Sequence, residues 1–203
     1  MAGTDSYKTI RTFSSGSYKE KGSRFIAEAY PVRDESDIRT IIDSVRKKHH
    51  SARHHCFAYF LGKDRQLWRV NDDGEPSGTA GRPILSLIKS LELTNILIIV
   101  SRYFGGTLLG ISGLINAYRS AAAEALNNAE IIEQIILESY EITYPYSAMN
   151  EVMKILKSGS VEQSEQSFDM ECSLKISLRP SAKERILKRL LLINGLKYRI
   201  LSS

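Results

Sequence analysis

The apolar positions of the chain fall into short blocks of different period, and each block predicts an element. "NILIIV", Asn95 to Val100, is apolar and β-branched almost throughout, the pattern of a strand covered on both faces. "SRFIAEAYPV", Ser23 to Val32, reads as a strand that Pro31 helps to end. In "DESDIRTIIDSVRKKHH" the residues Ile38, Ile41, Ile42 and Val45 recur at helical spacing. Asp34 is placed to cap that helix, with acidic residues in its first turn and basic ones in its last. His54 to Leu61 and Gln66 to Val70 predict two strands joined across "GKD", while "NDDGEPSGTAG", Asn71 to Gly81, is too dense in turn formers to be regular. Arg82 to Leu91 predicts a helix with Pro83 in its first turn and Ile84, Leu85, Leu87 and Ile88 inward. Gly110 to Ala129 predicts an alanine-rich helix whose small residues favour close packing on a sheet.

A second pattern begins near Leu137. "LESYEITY" is strand-like, and "SAMNEVMKILKS" is helical with Met149, Val152, Met153 and Leu156 on one face. "VEQSEQSF" and "ECSLKISL" predict a hairpin whose second strand alternates cleanly through Cys172, Leu174, Ile176 and Leu178. "SAKERILKRLLLIN" is a helix that Ser181 can cap and Gly195 can end, and "LKYRILS" closes the chain as a strand. The order β-α-β-β-α-β is that of a ferredoxin-like module. The expected fold class is therefore α+β in two domains, residues 1–136 and 137–203, the second ferredoxin-like.

Composition changes this picture little. A chain of 203 residues with 42% hydrophobic and 25% charged residues is ordinary for a globular protein. The run Ile96 to Val100 is too short to span a bilayer, and "MAGTDSYKTIRTF" has no apolar signal-peptide core. Two distant cysteines, Cys56 and Cys172, make no disulfide framework, so the expected location is cytoplasmic. The net charge of +5 divides as +3 before and +2 after residue 136, with no basic arm. One dense cluster, "RKKHHSARHH", carries Arg46, Lys47, Lys48 and Arg53 as a candidate basic patch.

Three segments carry candidate chemistry. All four histidines lie between His49 and His55, next to Cys56. A metal site is not expected, because a structural zinc site draws ligand pairs from separated segments and successive strand residues such as His54 and His55 point to opposite faces. "DDGEPSG" sets Asp72, Asp73 and Glu75 beside Ser77 ahead of a helix, a combination suited to acid–base work, to holding a divalent cation (though without the ligand series of a calcium loop), or only to reversing the chain. "SRYFGGTLLG" runs from a strand through Arg102, Tyr103, Gly105 and Gly106 into a helix. Its amides and Arg102 form a candidate anion cradle, although it matches neither a P-loop nor a dinucleotide fingerprint. The packing alternative is a tight turn with Tyr103 and Phe104 beneath it. Three such departures in one small domain read most economically as one surface, with His54 or His55 as its titrating member.

Taken together, "KGSRF", "HHSARHHCFAY", "DDGEPSGTAGRPIL" and "VSRYFGGTLLGISGLINAY" resemble the IMPACT family, in its bacterial YigZ-like branch, over roughly residues 18–125. The resemblance implies an N-terminal α/β sandwich like the second domain of ribosomal protein S-five, followed by a ferredoxin-like domain. Eukaryotic members of the family restrain a starvation-responsive translation kinase by competing for its activator. The resemblance thus implies a non-enzymatic binding protein linked to translation, in contact with RNA or a ribosomal partner; no cofactor is expected. The competing expectation, from the residues, is a small hydrolase or phosphate-handling enzyme built on His54 or His55, Asp73 or Glu75, and Arg102. Convergence of His54, Asp73 and Arg102 on one cleft separates the two.

Overall fold

The computed structural model describes residues 5–168 and 171–202. The chain divides into two compact units between Gln134 and Ile135, with Asp5 and Ser6 joining the second.

The first unit is built on a five-stranded antiparallel sheet. Its strands are β2 (Ser14–Glu20), β3 (Ser23–Pro31), β4 (His54–Leu61), β5 (Leu67–Asn71) and β6 (Ile96–Tyr103), ordered β2-β3-β6-β4-β5. The apolar run behind "NILIIV" occupies the central strand β6, and the alternation of its side chains serves two cores. Ile96, Ile98 and Val100 meet α2 (Gly81–Ser90) and α3 (Gly110–Asn127), whereas Leu97 and Ile99 meet α1 (Glu35–Lys48). Helices thus cover both faces of the sheet, and full burial of β6 follows from that layering. Asp34 caps α1 by accepting from the Ser36 and Asp37 amides, which holds its carboxyl below the usual range. Helix α3 lies close to β2: a Cβ at Gly16 would stand 2.4 Å from the Ala125 backbone nitrogen. Glycine at 16 and the buried row Ala117, Ala121, Ala122 and Ala125 together permit that approach.

Three strands have no counterpart in the sequence reading. Strand β2 is a polar edge strand, and β1 (Ser6–Ile10) pairs with β7 (Ile131–Ile135) in a separate two-stranded ribbon.

The second unit has the element order β8 (Glu138–Tyr144), α4 (Met149–Ser158), β9 (Glu162–Phe168), β10 (Cys172–Leu178), α5 (Pro180–Leu191) and β11 (Lys197–Ser202). Its antiparallel sheet is ordered β11-β8-β10-β9. One core unites Tyr140, Ile142, Tyr144, Cys172, Leu174, Ile176 and Leu178 with Val152, Leu156, Ile186 and Leu190 of the helices. Two end signals differ from expectation. Helix α5 begins at Pro180, and Ser181 does not cap it, because its hydroxyl and amide both donate to the Asp5 carboxylate. It ends at Leu191, before Gly195, whose φ of +82° serves the following turn.

Candidate functional site

Cross-strand register decides which of the candidate side chains meet. His54 lies opposite Arg102, and Arg102 lies opposite Phe25, so these three share the face under α3. His55 and Tyr103 point to the other face, toward α1.

On the α3 face the centre is a buried ion pair. Arg102, 5% exposed, donates from Nη1 to Glu75 Oε1 at 2.6 Å. Tyr118 Oη donates to the same oxygen at 2.8 Å. The Arg102 guanidinium lies over the Phe25 ring at 5.5 Å and the Phe104 ring at 5.6 Å, and its Nε has no hydrogen-bond partner among the described residues. His54 Nε2 stands 3.9 Å from Glu75 Oε1, and its Nδ1 bonds the Asp73 carbonyl at 2.8 Å. Nδ1 therefore carries the hydrogen in the neutral ring. Cys56 donates to the Asp72 carbonyl and to Tyr118 Oη. Burial pushes the thiol and the Tyr118 phenol far above their ordinary values, so neither supplies a nucleophile near neutrality.

The loop that delivers Glu75 is pinned from below. The Asp72 carboxylate accepts from the Gly78, Ala80 and Gly81 amides, capping the start of α2 from eight or nine residues upstream. Asp73, at φ +42°, turns its carboxylate away from Arg102, accepting from the His55 amide at 2.7 Å and from Arg46 at 3.1 Å. His54, Glu75 and Arg102 thus converge, while Asp73 joins them through its carbonyl and reaches His55 through its carboxylate. Ser77 is exposed and takes no part in this network.

On the α1 face stands a second buried carboxylate that the sequence reading did not nominate. Glu28, 1% exposed, sits in the middle of β3 and pairs with Lys48 at 2.5 Å. His49 Nε2 lies 3.3 Å from Glu28 Oε2, yet neither atom has a hydrogen-bond partner among the described residues. His49 Nδ1 bonds Tyr103 Oη at 2.8 Å, and its carbonyl meets His55 Nε2 at 3.1 Å. Burial lowers the His49 pKa against the opposing pull of Glu28. Burial and the Glu28 charge push the Tyr30 phenol up to about 12. The signal for Glu28 was present as a lone charge within "FIAEAY", and that for Tyr118 as a polar-tipped aromatic in an alanine-rich helix.

The glycine turn divides in two. The Gly105 amide donates to Ser23 Oγ at 3.1 Å, and a Cβ there would stand 1.9 Å from the Gly22 carbonyl carbon. Gly105 is therefore a close-packing position whose N–H is already engaged. Gly106, at φ +89°, has open space around it. The anionic group that Arg102 meets is internal, Glu75. Of the basic patch, Arg46 and Lys48 are held by Asp73 and Glu28, Arg53 lies over the Phe104 ring at 5.3 Å, and Lys47 is exposed. Among the described residues no group of three or more His, Cys, Asp or Glu is arranged to hold a metal ion, and no helix is long and apolar enough to cross a membrane.

Residues 21–126 match the Impact N-terminal domain. The chain belongs to the IMPACT family. It is 34% identical to IMPACT family member YvyE of Bacillus subtilis, over 75% of this chain and 70% of that one. To IMPACT family member YigZ of Escherichia coli it is 32% identical over 80% of each chain. A crystal structure of a hypothetical protein superposes with a TM-score of 0.69 at 27% identity, covering 98% of both chains. The matched domain holds every residue of both buried clusters, from Ser23 and Glu28 to Tyr118.

Proposed function

We propose that this IMPACT-family chain is a non-enzymatic binding protein acting in or beside translation, and that its motif-rich end is scaffold. The observation that carries the scaffold reading is the Arg102–Glu75–Tyr118 cluster, with one carboxylate oxygen taking both donors inside the protein. A hydrolase built on these residues needs a free base and an open anion cradle. Here His54 Nε2 is left without a hydrogen bond among the described residues, but Glu75 Oε1 already takes both Arg102 and Tyr118, and the first amide of the glycine turn is occupied by Ser23, so the groups of an anion cradle are spent internally. The place in translation rests on the family, whose eukaryotic members regulate it.

The finer reading is contact with RNA or a ribosomal partner. The open face of the second unit's sheet, a ferredoxin-like module in this reading, does not favour base stacking. Ser139, Glu141, Thr143, Ser173, Lys175 and Ser177 line its two central strands, with no aromatic among them. Contact would then be electrostatic, through Lys47 and Arg53, and steeply dependent on salt. The test is co-sedimentation of the full chain with purified ribosomes across a salt series, with and without nuclease treatment. Retention at low salt that weakens as salt rises and falls further in Lys47→Ala/Arg53→Ala is the expected result. Failure to co-sediment at low salt overturns the reading.

A further inference from the structure

A cleft of about 550 Å³ opens beside the β1–β7 ribbon, within the first unit and on residues that neither buried cluster uses. Its volume is in the range of small-molecule sites. Pro31 and Ile132 contribute apolar wall, and the polar groups are unevenly matched. Asn95, at φ +51°, spends its side-chain oxygen on the Gly62 amide and its carbonyl on the Val32 amide and Thr9 hydroxyl, leaving its side-chain N–H groups over. Gln134 spends its Oε1 on the Tyr7 hydroxyl and likewise keeps its amide donors. Arg11 pairs with Glu130 through Nε at 2.9 Å, and its terminal nitrogens make no hydrogen bond among the described residues. Arg33 forms no ion pair within 4.0 Å among the described residues, its charge only adding to the Asp37 and Ser36 hydrogen bonds that lower the pKa of the neighbouring Asp34. Asp37, the one carboxylate lining the cleft, accepts from the Arg33 backbone amide.

What remains in the cleft is therefore an excess of hydrogen-bond donors, two of them guanidiniums, beside an apolar wall. Such a site calls for a ligand rich in acceptors. Two separate arginine forks would use every lone pair of one carboxylate, whereas the three oxygens of a phosphoryl group accept both with capacity to spare and match the doubled positive charge better. We propose that this cleft binds an organic phosphate of about nucleotide size. Its phosphoryl oxygens lie on Arg11 and Arg33, its flat body lies along Pro31 and Ile132, and the Asn95 and Gln134 amides donate to acceptors on that body. The proposal concerns different residues from the translation reading and stands independently of it.

The test is an amide NMR titration of the full chain with 5′-AMP, adenosine and inorganic phosphate, repeated on Arg11→Ala/Arg33→Ala. Both arginines are exposed, so an unchanged melting temperature serves as the folding control. The expected result is saturable shifts at Arg33, Asn95 and Gln134 with 5′-AMP, and binding at least about tenfold weaker for adenosine, for phosphate, and for the double variant. A 5′-phosphorylated tetra-adenylate, compared with its 5′-hydroxyl form, identifies the source. Equal shifts with the phosphorylated oligomer point to an RNA end, and shifts with 5′-AMP alone point to a free nucleotide. Either outcome supports the site. Absence of shifts at about 10 mM 5′-AMP overturns the proposal, since that is weaker than millimolar affinity. So do shifts that persist undiminished in the double variant.

Discussion

Glu75 and Glu28 are both buried carboxylates paired with a cation, one on each face of the same sheet, yet their surroundings differ. Glu75 faces Arg102, whose side chain is 6% exposed, and a phenol completes the coordination of the same oxygen. Glu28 faces Lys48, whose side chain is 59% exposed, and its second oxygen sits near His49 without a hydrogen bond. Both partners of the first pair are all but buried, so it is held or lost as a unit. In the second pair the lysine can retreat to solvent, which leaves the protonation of His49 as the variable. Burial of charge alone thus does not define a functional group; what matters is whether the partner can leave.

The largest expected effect breaks the closed pair. Arg102→Ala strands the Glu75 carboxylate, and thermal or chemical unfolding should show a loss of about 3–5 kcal/mol. The double change Arg102→Met/Glu75→Leu should recover most of that loss, because it removes both charges. If Arg102→Ala melts like the parent, the closed pair is not a structural unit. Gly105→Ala comes next, at about 1–3 kcal/mol from collision with the Gly22 backbone. Gly106→Ala, with open space and only its φ to satisfy, should cost about 1 kcal/mol, measured in the same way.

On the open side, Glu28→Gln should cost only about 1 kcal/mol, because Lys48 regains water. A loss as large as that of Arg102→Ala would erase the distinction between the two carboxylates. The smallest effect concerns pH. With the folded-state pKa of His49 lowered, the unfolded chain binds the proton more readily. Stability therefore falls as pH drops from about 7 toward 5. The groups facing this imidazole are Glu28, Lys48, Tyr103 and His55. His49→Gln should flatten the fall in melting temperature between about pH 7 and pH 5. An unchanged slope would show that His49 does not set that dependence.

The strongly periodic parts of the chain were legible in the sequence. The apolar run from Ile96, the α1 stripe with its Asp34 cap, and the alternation after Cys172 each specify their own environment. Strands β1, β2 and β7 were not: "SSGSYKE" is a polar edge strand that takes its place from its neighbour, and the five residues of β1 and of β7 are too few to set a period of their own. Within the candidate site, His54, Glu75 and Arg102 could be named, because polar residues at the ends of apolar elements stand out. Their shared partner Tyr118 comes from a helix more than forty residues downstream of Glu75, a distance that only the folded sheet closes. Asp73 illustrates the remaining gap. Its carboxylate and carbonyl serve different neighbours, a division set by a left-handed backbone that residue type alone does not reveal.

The three amides gathered by Asp72 give two loops of the first unit unequal tolerance for altered length. At the tip of the β4–β5 hairpin, an extra segment between Lys63 and Asp64 would enter a turn and leave the ladder from Phe57 to Leu61 in register. Between Asp72 and Gly81 the same segment would draw the start of α2 away from its cap and withdraw Glu75 from Arg102. For tagging, permutation or grafting, the glycine-rich stretch that looks most like a spacer is thus the one to leave intact, and the short charged hairpin is the place to cut.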